Sequence, residues 1–512
     1  MAKIVSMMSR LTGEIRKNGI TNTYYKVKEK RAKTLSLQDY ESNRLLALPT
    51  AEELEAQKRR NFVKDITFSI VVPTYHTPEL FLRQMIESVL GQTFCRVELC
   101  IADGSSDDSV EKIVREYQQA DSRIKYQRLS ENKGISENTN AGLLMATGEY
   151  IGLLDHDDIL EVHALYEMRM ALAKYPEADV LYSDEDKVSF DLQHYFEPHY
   201  KPDFNPDLLR SNNYICHFLV MKRALLEEVG GFRAEYDGAQ DFDLVLRVTE
   251  KAKCIVHIPK VLYHWRSHQA STAANPMSKL YAYEAGRRAV EAQLKRCGEA
   301  GIVTDTRFYG FYQTNYRISR ELSVNLLFLS CKGENHKKIL NIFSGDLHRQ
   351  NAGNVIYYDN GFNKIVIFSK KMEIEGEVLV FAEAGLHGVS AEALNQLAVN
   401  CLRKNVGMAG GRILSEKGEL LYGRMEPDPE GVLVHADAGL PKGFTGYFHK
   451  AILQQNTEGV SHRLFAVRKD LFMEWQPEEE GSSEELMMQL CTFVKKSGYR
   501  IAYVPLATAT MK

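Results

Sequence analysis

Strand-like and helix-like patterns alternate along residues 66–158 of the chain. Four segments have the pattern of strands, and they cover residues 68–72, 97–102, 124–129 and 150–154. Between them, residues 78–90 have apolar residues at the spacing of an amphipathic helix, and residues 110–117 and 135–146 are also predicted helices. A strand that is apolar on both faces must be covered on both sides. The alternation therefore predicts an α/β fold built on a mainly parallel, doubly wound, Rossmann-like sheet.

Polar residues cluster directly after three of the predicted strands. Thr74 and Tyr75 follow the first strand, Asp103 follows the second, and Asp155 and Asp157 follow the fourth. The carboxyl ends of parallel strands meet at one sheet edge, where open α/β sheets bind their ligands. Because the last two aspartates are two residues apart, they leave a strand on the same face and can share a cation. A solvated turn or a helix cap would use the same residue types, but three clusters at one edge favour a ligand crevice.

The composition of the 512-residue chain is that of an ordinary soluble protein with more than one domain. Its net charge of −4 gives no indication of nucleic-acid binding. The eight cysteines include no C-x-x-C pair, which favours free thiols in a reducing compartment over a zinc site or disulfides. We find no signal-peptide core and no apolar run near the roughly 20 residues that span a bilayer. These features predict a cytoplasmic protein, or one bound peripherally at the cytoplasmic face of the membrane.

Residues 1–65 are polar, with partial helical spacing, and basic residues outnumber acidic ones up to Lys33. We expect a helical N-terminal arm. A basic amphipathic helix can lie on anionic lipid, so the arm is a candidate for peripheral membrane contact. Packing of the arm on the following domain is the alternative.

Residues 66–300 carry a series of motifs that resemble one enzyme family. The motifs are FSIVVPTYHTPELFLRQMIESVL, IADGSSDDS, ENKGISENTNAG, GEYIGLLDHDD, YSDEDK, KPDFNPDLLRSNNYI, GGF, QDFDLVLR and VHIPKVLYHWR. They resemble the inverting family 2 glycosyltransferases of GT-A fold, most closely the bacterial branch that builds O-antigen, capsule or rhamnose-rich wall polysaccharide. The resemblance implies a metal-dependent enzyme that moves rhamnose or a hexose from a nucleotide-diphosphate sugar onto a cell-surface polysaccharide or a lipid-linked glycan precursor.

The resemblance also implies a nucleotide-binding role for the residues at the sheet edge. Thr74 and Tyr75 are expected to contact the nucleotide base, and Asp103 is expected to accept a hydrogen bond from its imide N–H. Such an aspartate suits a pyrimidine, which favours a dTDP- or UDP-sugar. Lys133 with Gly134 is expected near the base or the diphosphate.

A second group of acidic residues is implied to bind the sugar, the diphosphate and a cation. Asp155 is the expected partner of both ribose and metal, and Asp157 is a direct ligand of Mg²⁺ or Mn²⁺, hard cations that prefer oxygen. Asp184 and Asp186, in YSDEDK, match donor-binding positions, although three adjacent acids are equally typical of a solvated turn. His264 is implied as a further metal ligand. His268 is a weaker candidate, and a purely structural role is as compatible with either histidine.

Asp241 matches the catalytic base of the family. It would take the proton of the acceptor hydroxyl as that oxygen attacks the anomeric carbon from the face opposite the diphosphate. An aspartate is also favoured at a helix N-terminus, so Asp241 is compatible with a capping role as well.

Residues 322–512 repeat parts of the first domain. The matching segments are 148–158 with 376–386, 218–232 with 463–475, and 240–247 with 483–490. Glu383 and Gly385 stand where the paired aspartates should be, and Glu484 replaces the base. We therefore expect a linker at 301–321 and then a degenerate, non-catalytic GT-A-like domain that packs on the first, binds acceptor glycan or forms a homodimer.

Two other functions are compatible with parts of this pattern. A pseudo-transferase that scaffolds a polysaccharide-assembly complex would account for the degenerate copy, but the first domain keeps every expected carboxylate. A nucleotidyltransferase also uses paired aspartates on an α/β sheet. It would need a glycine-rich basic loop after the first strand, and PTYHTP at residues 73–78 supplies none.

Overall fold

The computed structural model describes residues 23–24, 27–29, 40–267, 280–318, 324–330, 355–359, 376–383, 385–477 and 481–512. The chain divides into two compact units. The first unit contains Ala32–Phe204 and Asn213–Gln293, and the second contains Met1–Arg31, Asn205–Asn212 and Leu294–Lys512. Within the described residues, no helix is long and apolar enough to cross a membrane.

Strands and helices alternate through residues 40–296. The strands are β1 (Phe68–Thr74), β2 (Val97–Asp103), β3 (Ile124–Arg128), β4 (Tyr150–Leu153), β5 (Ile159–Leu160), β6 (Val180–Ser189), β7 (Tyr195–His199), β8 (Leu219–Lys222) and β9 (Ile255–Ser267). The helices are α1 (Tyr40–Ala47), α2 (Ala51–Arg59), α3 (Glu79–Leu90), α4 (Ser109–Ala120), α5 (Ile135–Met145), α6 (Ala164–Lys174), α7 (Pro206–Ser211), α8 (Arg223–Val229), α9 (Gln240–Lys251) and α10 (Leu280–Arg296). Helix α7 belongs to the second unit. Helices α1 and α2 lie in the predicted arm, most of whose residues 1–39 lie outside the described residues.

The first unit is built on one sheet in the order β3-β2-β1-β4-β8-β6-β9-β5, with β7 paired to β6. Strands β3, β2, β1 and β4 are parallel, and β8 runs antiparallel to both β4 and β6. Thr74 pairs with Asp103, so β1 and β2 end together. The α/β, mainly parallel architecture and the common edge for the polar clusters are therefore confirmed.

Helix α3 shows how the sequence pattern produces this packing. Leu82, Met85, Ile86 and Val89 recur at helical spacing, and all four are fully buried in the core beneath the sheet. Each such aliphatic side chain stabilises the fold by roughly 1.5–3 kcal/mol. Leu80, which the pattern also placed on this side, is exposed.

The second unit contains a second sheet and two hairpins. Its strands are β10 (Ala300–Asp305), β11 (Tyr312–Arg317), β12 (Val324–Ser330), β13 (Val355–Asp359), β14 (Val378–Glu383), β15 (Val406–Ser415), β16 (Leu420–Tyr422), β17 (Met425–Pro427), β18 (Leu433–His435), β19 (Gln455–Thr457), β20 (Leu464–Arg468) and β21 (Arg500–Met511). Its further helices are α11 (Ala391–Cys401), α12 (Lys469–Glu474) and α13 (Ser483–Lys496). The segment 301–321, which we expected to be a linker, instead carries most of the antiparallel hairpin β10–β11.

The second sheet repeats the strand order of the first. The order β13-β12-β14-β20-β15-β21 has the same relative directions as β2-β1-β4-β8-β6-β9. The register also corresponds, because Tyr150 lies opposite Lys222 and Val378 lies opposite Arg468. This register aligns Phe218 with Leu464, whereas the match of segments 218–232 and 463–475 in the sequence analysis paired Phe218 with Arg463.

Candidate active site

A cavity of about 770 Å³ lies at the carboxyl edge of β1 and β4 in the first unit. The acidic, histidine and cysteine residues that line it are Asp155, His156, Asp157, Cys216, His217, Asp237 and Asp241. Three predicted carboxylates, separated by up to 86 residues in sequence, therefore face one space. The fold brings them together because β4 ends here and α9 begins here.

The three aspartates that follow β4 have different environments. Asp155 and Asp157 are half-buried and line the cavity. Asp158 is fully buried; it accepts hydrogen bonds from the Tyr263 hydroxyl at 2.5 Å and from the Arg266 backbone N–H at 2.7 Å. Burial, together with its two acidic neighbours, raises the pKa of Asp158. The third carboxylate thus anchors the loop to β9, whereas the first two line the cavity.

Asp103 is placed next to Thr74, as predicted, but it is fully buried. Its oxygens accept hydrogen bonds from the Thr74 hydroxyl, from the backbone and hydroxyl of Ser105, and from the Tyr126 hydroxyl at 2.9 Å. Three of these bonds end on Oδ1 and one ends on Oδ2, so Oδ2 keeps capacity for a further donor. In this structure Asp103 joins the ends of β1, β2 and β3, while Tyr75 exposes 49% of its surface and is free to face a base.

Gly134 lines the cavity directly before α5, and its φ of +94° is in the region that favours glycine. Lys133 is adjacent, and its amine pairs with Glu131 at 3.3 Å on the surface. Asp237 occupies the start of α5 through a 2.5 Å hydrogen bond from Ser136. A side chain at Gly134 would meet the Asp237 carboxylate at 2.9 Å, so the loop requires glycine here.

Asp241 lies in the first turn of α9 and faces the cavity. Its Oδ2 accepts a 2.8 Å hydrogen bond from the Asn213 amide and lies 3.9 Å from the Cys216 sulfur. Burial raises the pKa of Asp241, which suits a group that must accept a proton near neutral pH. Asp243, two residues later, is fully buried between Arg233 and Arg247 and is structural.

The acids of YSDEDK differ from the prediction. They lie on β6, where successive side chains point to opposite faces. Asp184 accepts hydrogen bonds from the Lys201 backbone N–H and from His257, and Asp186 is bonded to Tyr40 and His264. Both carboxylates are buried, and neither lines the cavity that contains Asp155 and Asp241.

His264 also differs from the prediction, because both of its ring nitrogens contact carboxylates. Nδ1 lies 2.6 Å from Asp186 and Nε2 lies 3.2 Å from Glu161, and the ring is only 1% exposed. Burial opposes a charge on the ring, but the two carboxylates outweigh it and raise the pKa of His264 to about 9. The described structure thus places His264 in an ion-pair network outside the cavity lining. His268 lies outside the described residues.

His217, which the motifs did not single out, lines the cavity together with His156. Its Nε2 lies 3.7 Å from Asp155 and 3.5 Å from the Cys216 sulfur, and its ring stacks on Tyr263. Glu185, on the opposite face of β6 from Asp184, contacts its Nδ1 at 3.3 Å. Within the described part of the chain, Glu185, Cys216 and His217 bring possible ligand atoms within 4.8 Å of one another. His217 could have been found from its position opposite Asp155 in the pairing of β4 with β8. That pairing must be known first, so the motifs alone do not identify the residue.

The corresponding edge of the second sheet is neutralised by an ion pair. The shared register places Glu383 at the position of Asp155, and the Glu383 backbone N–H donates to the carbonyl of Arg463, the counterpart of His217. The Arg463 guanidinium pairs with the Glu383 carboxylate. Gly385 supplies no acid where Asp157 stands in the first sheet. This edge therefore holds a protein cation where the first sheet presents two carboxylates.

Comparisons with known proteins place these observations in a family. Residues 69–230 match the model described as glycosyl transferase family 2. The chain is 30% identical over 477 residues to the uncharacterized protein y4gI of Sinorhizobium fredii, a match that covers 86% of this chain and 52% of the relative. It is 29% identical over 434 residues to the O-antigen biosynthesis protein RfbC of Myxococcus xanthus, covering 79% of this chain and 34% of the relative. The chain thus spans about half the length, or less, of these two curated relatives.

Among solved structures, TarS 1–349 of S. aureus in complex with UDP-GlcNAc has a TM-score of 0.38 and 20% sequence identity. That match covers 45% of this chain and 66% of the other. The family match at residues 69–230 contains β1 to β8 and the aspartates that follow β4. Over residues 69–230, the chain matches glycosyl transferase family 2.

Proposed function

We propose that the chain is a metal-dependent, inverting glycosyltransferase that moves rhamnose or a hexose from a dTDP- or UDP-sugar. The acceptor would be a cell-surface polysaccharide or its lipid-linked precursor. The observation that carries the proposal is the opening of Asp155, Asp157 and Asp241 onto one cavity at the carboxyl edge of β4. The named relative in O-antigen biosynthesis supports the class of acceptor.

The residues around the cavity fit a hard divalent cation. Asp155 and Asp157 offer carboxylate oxygens, the ligands that Mg²⁺ and Mn²⁺ prefer. Cys216 also lines the cavity, but its sulfur is a softer ligand that suits such a cation less well than the carboxylates do. The two aspartates would hold the cation, which supplies positive charge for the diphosphate leaving group.

Proton transfer in this proposal belongs to Asp241. The acceptor O–H gives its proton to the Asp241 carboxylate as the oxygen forms a bond to the anomeric carbon. The bond from that carbon to the diphosphate breaks, and its electron pair leaves with the nucleotide. A single displacement inverts the carbon. The Asn213 amide, 2.8 Å from Oδ2, holds the carboxylate in place.

A screen of nucleotide sugars tests the proposed function. We expect one dTDP- or UDP-sugar to raise the melting temperature and to be hydrolysed slowly in the presence of Mn²⁺, with both effects lost when EDTA replaces the metal. Purine nucleotide sugars serve as controls. If no nucleotide sugar stabilises the protein or is hydrolysed, the pseudo-transferase scaffold becomes the better hypothesis.

We further propose that the enzyme acts at the cytoplasmic face of the membrane. The basic composition of the N-terminal arm supports this location, and so does a lipid-linked acceptor. Co-sedimentation with anionic vesicles, for the full chain and for a chain lacking residues 1–33, tests the role of the arm. Equal sedimentation of the two chains would contradict it.

The degenerate edge of the second sheet yields a separate prediction. Glu383→Ala should leave turnover unchanged, because the second sheet lacks a counterpart of Asp157 in our proposal. It should lower stability by about 1–3 kcal/mol, since it leaves the partly buried Arg463 guanidinium without its carboxylate. Thermal melts of the wild type and of Glu383→Ala measure the loss of stability, and donor turnover measures the activity. Glu416→Ala, which removes an exposed acid of the same unit, is the control; a large loss of turnover in Glu383→Ala would indicate a second active site.

A further inference from the structure

The second unit contains a cleft that the proposed function does not use. It lies between strand β11 and helix α11 and has a volume of about 610 Å³. Gln313, Asn315 and Arg317 lie along β11 at two-residue spacing, so they share one face of the hairpin. Glu392, Asn395 and Gln396 belong to one face of α11. We call these six residues the amide cleft.

Gln396 is the residue that indicates a ligand. Its side chain is 2% exposed, and its Nε2 donates to the Glu392 carboxylate at 2.9 Å and to the Tyr316 carbonyl at 3.3 Å. Both partners are acceptors, which fixes the orientation of the amide. The remaining Oε1 is buried and has no hydrogen-bond partner among the described residues. A buried amide oxygen without a donor is unfavourable. Gln396 lines the cleft, so a rotation of its side chain towards the cleft would let a ligand hydroxyl donate to this oxygen.

The other groups of the cleft define the chemistry of that ligand. Amides both donate and accept, as sugar hydroxyls do. The positive charge of Arg317 is accompanied by the negative charge of Glu392, so the cleft is not a basic site for phosphate or for an acidic polymer. Apolar surface from Ile302, Val399 and Leu506 lines the same space and would pack against the C–H faces of a sugar ring.

We propose that the amide cleft binds a neutral oligosaccharide. The site lies wholly within the second unit and contains none of the cavity residues of the first. It would hold a stretch of glycan independently of the reaction. This inference goes beyond the proposed function, and binding can be measured without any transfer.

Saturation-transfer NMR on the full chain tests the proposal, with chitotetraose and a rhamnose tetrasaccharide as neutral probes and a hyaluronan tetrasaccharide as an anionic one. We expect transfer to at least one neutral probe at millimolar concentration. Gln396→Leu should weaken that binding about tenfold, the value of a lost buried hydrogen bond. Asn395→Ala, at a partly exposed position of α11, is a second variant that does not threaten the core.

Donor hydrolysis serves as the control, since neither variant touches the cavity of the first unit and its rate should not change. No transfer to either neutral probe, equal binding by wild type and both variants, or preference for the hyaluronan probe would each overturn the proposal. None of these results bears on donor hydrolysis, so failure here is distinguishable from failure of the proposed transferase.

Discussion

Replacing Asp241 by asparagine is expected to abolish sugar transfer while leaving donor binding intact. Asparagine keeps the size of the side chain and its place at the start of α9, but it cannot accept the acceptor's proton. General base catalysis contributes about 10²–10⁴-fold to such a reaction, and we expect a loss of transfer in this range. Steady-state transfer assays, paired with calorimetric titration of the donor, measure the two effects separately.

Asp243→Asn provides the contrasting variant on the same helix. Asp243 is fully buried between two arginines, so its neutralisation leaves uncompensated positive charge and should cost roughly 3–5 kcal/mol of stability. Its turnover per folded molecule should stay near that of the wild type. If Asp241→Asn transfers sugar at the wild-type rate, Asp241 is not the catalytic base.

The acid limb of the pH profile gives a further check on Asp241. Burial raises its pKa, so the carboxylate becomes protonated at a higher pH than an ordinary aspartate as the solution is acidified. A protonated carboxyl cannot act as base. As the solution is acidified, the transfer rate should therefore begin to fall at a pH above the range in which an ordinary aspartate titrates. The residual rate of Asp241→Asn should not show this fall.

The sequence pattern was a good guide to the first sheet because its strands are continuous apolar runs separated by amphipathic helices. Burial on both faces leaves little freedom for such runs, and β1, β2 and β4 form where the pattern placed them. The edge that collects Thr74, Asp103 and Asp155 follows from parallel pairing. The segment 301–321, predicted as a linker, contains most of hairpin β10–β11, whose alternating polar residues, such as Gln313 and Asn315, resemble a loop in sequence.

Side-chain direction was harder to predict. Asp184 and Asp186 were assigned to the donor site, yet both are buried among partners from other elements, while Glu185 between them contacts His217. His264 was assigned to the metal, yet its neighbours Asp186 and Glu161 come from other elements and are invisible in its motif. Motifs locate a residue on an element; the partners across the fold decide what it can bind.

The comparison of the two sheets bears on why the paired aspartates are present. Both sheets have the same strand order and register, and the second keeps this strand with Glu383 paired to Arg463. The fold therefore does not need two carboxylates after the strand. In the first sheet Asp155 and Asp157 line a cavity, an arrangement that is useful for binding and costly for stability, because like charges repel.

Asp157→Ala is accordingly expected to abolish both transfer and slow donor hydrolysis. The substitution removes one of two carboxylates that would hold the cation, and charge stabilisation of a leaving diphosphate is worth several kcal/mol, or about 10²–10³ in rate. Unlike Asp241→Asn, this variant should also lose Mn²⁺-dependent donor binding, which calorimetry with and without EDTA detects. Asp108→Ala, which removes an exposed aspartate outside the cavity, should retain both activities. If Asp157→Ala keeps the metal dependence of the wild type, Asp157 is not a ligand of the cation. The group of Glu185, Cys216 and His217, which lies beside Asp155, would then be the next candidate for the metal site.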